Sequence, residues 1–346
     1  MTGNSYVIRS AAIDITNKCN FRCLHCFNHS GEHKRETEMT DDEIINLFND
    51  IIDYQPDAIC ICGGEPLLRV DLIYKLSELV ASKNDIINLN MVSNGFLFNE
   101  EIAYNLKIKG LNLIQFSLDG FHSNTHNWIR NNEFSYEHVI NASKYAKKVG
   151  LEVGVACCPT KVNYDELDKV VELCSDLGVK MLRMQPLMLM GRGAALKNFE
   201  LSDEEYHKLS RKIKQYSNQK MIVEWGDPLQ HIQNIVTTHL HNSYVDLGIS
   251  AYGDIMVSPY IPIKIGNIRN RKLQEYFEIG LQDIYLDTFI KKVASLMGEW
   301  KKMNLHDTLI YIESENQQFI ESMGFEKKGL LRYENDKDIL SMWMIL

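Results

Sequence analysis

Cys19, Cys23 and Cys26 stand in the run Cys-Asn-Phe-Arg-Cys-Leu-His-Cys. Thiolates at this spacing can wrap a tight loop around one corner of an iron–sulfur cube and hold three of its irons. A cubane cluster normally takes four cysteines, so one iron is left open. An open iron can bind and reduce a small molecule, which a fully ligated electron-transfer cluster cannot. A structural zinc ion is the competing reading, because zinc favours tetrahedral thiolate and imidazole sets, and His25 or His29 could supply the fourth ligand.

The elements that must position these cysteines alternate along the chain. Short β-branched runs over 12–16, 58–62, 87–93, 112–118, 152–158 and 180–185 predict strands. Amphipathic stretches over 41–54, 70–82, 99–109, 135–149, 164–177 and 203–219 predict helices, the first capped by Thr40. Strands joined by helical crossovers imply a parallel α/β sheet. Such sheets gather active-site groups beyond the carboxyl ends of their strands.

The remaining motifs fall at those ends. Gly63-Gly64-Glu65-Pro66 follows the second strand, and paired glycines let a backbone approach a ligand closely. Glu65 can accept a hydrogen bond from an ammonium group. Ser93-Asn94-Gly95 ends the third strand, where Asn-Gly alone would be a common turn pair. Ser117-Leu118-Asp119-Gly120 ends the fourth and is followed by His126-Asn127-Trp128-Ile129-Arg130. Cys157 and Cys158 close the fifth, and Pro159-Thr160-Lys161-Val162-Asn163 follows. Arg183-Met184-Gln185-Pro186 ends the sixth, with Gly191-Arg192-Gly193 beyond it.

Cys-x3-Cys-x2-Cys with Gly-Gly-Glu-Pro on a βα series resembles the radical S-adenosylmethionine (SAM) enzymes over about residues 11–195. The resemblance implies a partial (β/α)6 TIM-like barrel over 1–220, one [4Fe–4S] cluster on Cys19, Cys23 and Cys26, and SAM chelating the open iron. It places Gly63, Gly64, Glu65 and Pro66 at the methionyl amino group, and Ser93 and Asn94 near the ribose or carboxylate. Ser117 and Arg130 would hold the carboxylate, for which an arginine fork is suited, with Asp119 completing the Ser-x-Asp-Gly motif. Gln185 and Arg183 would lie near the active site. Cys62 stands where relatives have threonine, and Asn127 where they have aspartate. The implied chemistry is reductive cleavage of SAM to methionine and a 5′-deoxyadenosyl radical, which takes a hydrogen atom from substrate. The electron would come from an external donor of flavodoxin or ferredoxin type.

Residues 221–285 resemble the SPASM or twitch extension of the branch that modifies ribosomally made peptides. Strand, Gly-Asp turn, strand and Gly-Asn-Ile lead there into a helix over 273–277. Ser258-Pro259-Tyr260 carries no cysteine where relatives hold auxiliary clusters, and none follows Cys174. Residues 286–346 resemble the last strands and helix of a GNAT acetyltransferase without its glycine-rich loop, which suggests a structural cap or docking surface. The Pro…Gly-Arg-Gly passage also resembles the peptide-modifying branch, so a peptide crosslink or epimerisation is the leading expectation. A separate leader-peptide-binding protein would then be a partner. Neighbours on a strand point to opposite faces, so either Cys157 or Cys158 should face the barrel and serve as hydrogen-atom donor. The plainer expectation for both is a buried apolar thiol. The alternatives are a carbohydrate or small-metabolite dehydrogenase or mutase and, from another class, a zinc-stabilised binding protein.

The chain has 346 residues, enough for one large core plus a small appended domain. Its net charge of −9 argues against general nucleic-acid affinity. No apolar run approaches the ~20 residues of a membrane helix, and no secretory signal is evident. A reducing cytoplasmic setting is therefore expected, in which cysteines serve as metal ligands more often than as disulfides.

Overall fold

The computed structural model describes residues 7–32, 37–84, 86–217, 220–226, 234–237, 244–258 and 261–286, together with two later strands. The chain divides into two compact units. One gathers 16–33 and 60–227, and the other gathers 1–15, 34–59 and 228–346.

The unit holding 60–227 is a parallel sheet with strands in the order β2 (Ala58–Cys62), β3 (Asn88–Ser93), β4 (Leu113–Ser117), β5 (Glu152–Cys157), β6 (Met181–Met184) and β7 (Ile222–Trp225). Register runs Val92↔Gln115, Ser117↔Ala156, Ala156↔Arg183 and Arg183↔Glu224. Helices α2 (Val70–Lys83), α3 (Glu100–Ile108), α4 (Ser123–Arg130), α5 (Ser135–Lys148), α6 (Leu167–Leu177) and α7 (Asp203–Tyr216) lie between the strands. On one sheet face Leu89, Met91, Ile114, Phe116, Leu182 and Met184 are completely buried. Residues between them, such as Asn90, Gln115, Ser117 and Arg183, stay half-exposed. Parallel sheets covered on both sides read as near-continuous apolar runs. Here the alternation is retained, which leaves one face open and polar.

The other unit contains β1 (Ile8–Asp14), α1 (Asp41–Ile52), the strands β8 (Val245–Ile249), β9 (Asp254–Ser258) and β10 (Ile261–Asn267), and helix α8 (Leu273–Glu278). β1 pairs in parallel with β8, Ala11 opposite Leu247. β8 and β9 form the expected hairpin, turning at Gly253. α1 begins in a capping box between Thr40 and Glu43, and buries Ile44, Leu47, Phe48, Ile51 and Ile52. Arg269 grips the Glu43 carboxylate through Nε (2.6 Å) and Nη2 (2.8 Å), which holds that acid down at about 2.

The sequence expectations match most elements within two or three residues, with informative differences. The first strand begins at Ile8 rather than residue 12, because its register with β8 starts there. That pairing groups the N-terminal 15 residues with the C-terminal part, so the units do not divide at 220/221. α4 and β7 were not expected from the sequence. Most of 286–346 lies outside the described residues. Within it, β11 (Thr308–Ile312) and β12 (Leu340–Met344) pair antiparallel. Among the described residues no helix is long and apolar enough to cross a membrane.

Candidate active site

The three cysteines lie on the loop that follows β1, and the segments that follow β2, β3, β4 and β6 each send a group onto that loop. Gly64 N–H donates to Thr16 O (2.7 Å) and Glu65 N–H to Lys18 O (2.8 Å), fixing the loop's entry. Asn94 Nδ2 donates to Asn20 Oδ1 (2.8 Å), while its own Oδ1 accepts from Phe96 N–H. Leu24 N–H reaches Ile129 O at the end of α4 (2.9 Å). Arg192 staples the exit: its N–H donates to Cys26 O and its Nε to Cys23 O, both at 2.9 Å, and Nη1 reaches Ser30 O at 3.1 Å.

The glycines serve this docking. A Cβ at Gly63 would stand 2.4 Å from Thr16 O, and one at Gly64 2.2 Å from Lys18 O. At Gly191 it would lie 2.5 Å from both Cys26 O and Phe27 O. The close approach that the paired glycines allow is therefore to the chain's own cysteine loop, where the sequence suggested a ligand.

Glu65 is fully buried. Its Oε1 accepts from Leu67 N–H (3.1 Å) and Ser93 Oγ (2.9 Å), and its Oε2 from Asn94 N–H (2.8 Å). Three of about four lone-pair sites are thus filled, and the carboxylate ties the turn after β2 to the turn after β3. Burial pushes this carboxyl up to about 7, against the pull of those donors. The unfolded chain therefore loses its proton first as pH rises, and this carboxyl adds a downward slope to stability between pH 4.5 and 7. Glu65→Gln should flatten that slope. Denaturant midpoints of the two proteins at pH 5.5 and 7.5 would show it, and equal slopes would refute it.

Asp119 organises the end of β4. It is fully buried, and its Oδ1 accepts from Cys158 N–H (2.8 Å) while Arg130 Nε donates to Oδ2 (2.6 Å). Burial would push its carboxyl up, but the Arg130 charge, with the Cys158 N–H, holds it below the usual range. Asn163 Nδ2 donates to Asp119 O (2.6 Å) and Cys158 O (2.9 Å), which gives that asparagine a bracing role. His126 Nδ1 accepts from Asp119 N–H (3.1 Å), and burial lowers this imidazole to about 3, so it stays neutral.

Other sites the sequence singled out are placed as follows. Pro66 opens a short helical turn at the buried end of the Glu65 segment. Ser117 lies half-exposed on the open sheet face, and its hydroxyl meets no partner among the described residues. Gln185 donates its N–H to Cys157 O and turns its side chain toward Met188. Cys157 is buried on the helix-covered face, and Cys158 is half-buried on the other side. Two thiols that the sequence left unassigned, Cys60 and Cys62, sit half-buried with Sγ atoms 3.4 Å apart. Residues i and i+2 share a strand face, and that spacing was the available signal. Arg192, Asn20 and Asn163 were likewise missed as bracing residues.

The donor set fits an iron–sulfur cluster. Burial, with Cys23, Glu65 and Cys26 nearby, pushes the Cys19 thiol up to about 11, and burial also raises Cys23. Removing protons from such crowded thiols calls for a positive centre among them. Among the described residues no three His, Cys, Asp or Glu side chains converge as ligands of one metal ion. Structural zinc needs four donors on one ion, whereas a cubane takes each thiolate on a different iron. The two imidazoles offered for zinc turn elsewhere, His25 toward Asp119 (3.8 Å) and His29 toward Glu32 (3.9 Å).

Residues 13–174 match the sequence model of the radical SAM superfamily. That segment is a radical SAM domain, which supports an enzyme over the zinc-stabilised binding protein. The cofactors of that superfamily are a [4Fe–4S] cluster and SAM. The chain is 24% identical to the AdoMet-dependent heme synthase of Methanosarcina barkeri, over 78% of its own length and 82% of that protein's. It is 28% identical to the sporulation killing factor maturation protein SkfB of Bacillus subtilis, over 66% of this chain. There it spans 53%, about half, of the relative. Among solved structures, Streptococcus suis SuiB bound to S-adenosylmethionine superposes with a TM-score of 0.63 at 13% identity. That likeness covers 87% of this chain and 69% of SuiB and concerns the fold.

Proposed function

We propose that this enzyme cleaves SAM reductively and uses the resulting radical to modify a ribosomally made peptide, by crosslinking or epimerisation. The observation that carries the reading is the cysteine loop, braced by the segments after four strands, beside an open, polar sheet face. When bound, the cluster and SAM supply one-electron scission of a carbon–sulfur bond and a hydrogen-abstracting carbon radical. The chain's own residues hold and orient. Cys19, Cys23 and Cys26 would ligate the cluster. The turns at Gly63–Pro66 and Ser93–Asn94 would border the bound cofactor. The Ser117 hydroxyl and Arg130 Nη2, neither engaged by a described residue, would grip its carboxylate. Asn90, Gln115 and the Arg183–Glu224 pair on the open face would offer hydrogen bonds to a polar substrate.

A peptide substrate is supported by the likeness to a maturation protein and by the fold shared with SuiB, which was also solved bound to precursor peptide SuiA. An external one-electron donor, and a separate leader-binding protein in a cytoplasmic setting, complete this reading. The extension over 221–285 would be a twitch-like module without metal, and 286–346 a docking surface. A small-metabolite substrate is the second reading, favoured by the 82% coverage of the heme synthase. The test is 5′-deoxyadenosine release by the anaerobically reconstituted enzyme with size-separated extracts. Stimulation destroyed by protease is the expected result, and protease-resistant stimulation in the small-molecule fraction would overturn the peptide reading.

A further inference from the structure

We propose that Arg130, set in place by Asp119, acts on the cluster itself: it donates a hydrogen bond to the Cys23 thiolate and raises the cluster's reduction potential. The proposal rests on the radical SAM reading of the cysteine loop and assigns a tuning pair within it.

The geometry is specific to one cysteine. Arg130 closes α4, whose Ile129 carbonyl already accepts Leu24 N–H, so the helix end and the cysteine loop are joined. From there Nε donates to Asp119 Oδ2 at 2.6 Å while Nη1 reaches Cys23 Sγ at 3.9 Å. The guanidinium thus bridges carboxylate and thiol. Asp119 cannot drift, because Cys158 N–H holds its Oδ1 and Asn163 holds its backbone carbonyl. Cys19 Sγ receives the uncharged Phe21 N–H instead, at 3.4 Å.

Reduction adds negative charge to a cluster and its thiolates. A buried cation and a donor aimed at one sulfur stabilise that state more than the oxidised one. Water screens such a charge little when it is buried. Asp119 offsets part of the effect, yet the guanidinium is the group in contact with sulfur. Asp119 is accordingly the positioning residue and Arg130 the group that acts on the cluster.

The test is a potentiometric titration of the reconstituted protein without SAM, followed by electron paramagnetic resonance of the reduced cluster. Arg130→Gln should shift the potential negative, and Arg130→Lys, which keeps the charge, should shift it less. Asp119→Asn is isosteric and still accepts from Cys158 N–H. With its Oδ1 held there, its Nδ2 faces Arg130 Nε donor to donor, so the guanidinium is released from Cys23 and the potential should shift negative. The double variant should shift no further than Arg130→Gln alone, a non-additivity that general loosening of the fold does not give. An unchanged potential in Arg130→Gln with weakened SAM binding would make Arg130 a carboxylate clamp only and overturn the proposal. Should Arg130→Gln take up no cluster, Asp119→Asn decides, and a zero or positive shift there also overturns it. A wild-type protein that assembles no cluster would refute the reading of the loop, a distinguishable failure.

Discussion

Replacing Cys23 with alanine is expected to abolish cluster assembly, and SAM cleavage with it. The same result is expected at Cys19 and Cys26, because a cube held by three thiolates has no spare protein ligand. The His25 side chain is only 13% exposed and is lowered to about 4, first by desolvation, and it lies against Asp119, so it is poorly placed to substitute. The control is Cys174, a completely buried thiol on α6 away from the loop. Cys174→Ala should cost about 1–2 kcal/mol of stability through the small cavity it leaves. It should leave iron content and 5′-deoxyadenosine per cluster at wild-type levels. Iron and sulfide analysis with chromatography of the nucleoside products would check all four variants. Retention of a full cluster and of cleavage by Cys23→Ala would refute the assignment of the loop. One zinc per chain in the wild type, without visible absorption, would do the same.

The parts legible in the sequence are those written as periodicity or spacing. α1, α2 and α5 each carry an apolar face at helical repeat, and the strands between them are short β-branched runs with turns after them. α4 was missed because Ser-Asn-Thr-His-Asn-Trp-Ile-Arg is short and polar, with only His126 and Ile129 buried. Its helical form comes with packing against α5 and the His126 contact to Asp119 N–H, which no local pattern encodes. The β1–β8 pairing joins positions more than two hundred residues apart and so leaves no local trace either. At the site the residue types were readable, but their partners were not. Glu65 reads in the sequence as a free carboxylate beside two glycines, and the fold uses it as a strut between two strand ends. Arg192 reads as part of a family-like passage, and in the fold it is the staple on Cys23 and Cys26. Hydrogen bonds between segments far apart in sequence decide such roles.

That division of labour makes Gly64 the position where one methyl group should do the most harm. A Cβ there would stand 2.2 Å from Lys18 O and 2.7 Å from Asn17 O, backbone atoms that no rotamer change can clear. β2 before it and the anchored Glu65 after it fix Gly64, so the segment leading to Cys19 has to yield. The 2.7 Å bond from Gly64 N–H to Thr16 O and the 2.8 Å bond from Glu65 N–H to Lys18 O would lengthen or break. Overpacking of this kind costs about 1–3 kcal/mol, and each lost hydrogen bond about 1 kcal/mol more. Function should suffer further, since Cys19 follows directly on Lys18 and a displacement of ~1 Å in an active site can cost about 100-fold in rate. Gly150→Ala is the matched comparison. Gly150 has φ +75° with nothing within 4 Å of a built Cβ, so only backbone strain of about 1–2 kcal/mol applies. Both variants should unfold at lower denaturant than wild type, but only Gly64→Ala should also lose 5′-deoxyadenosine formation per loaded cluster. Equal cleavage by the two would mean that the turn after β2 does not set the cysteine loop, and its glycines would then have to be explained by a ligand after all.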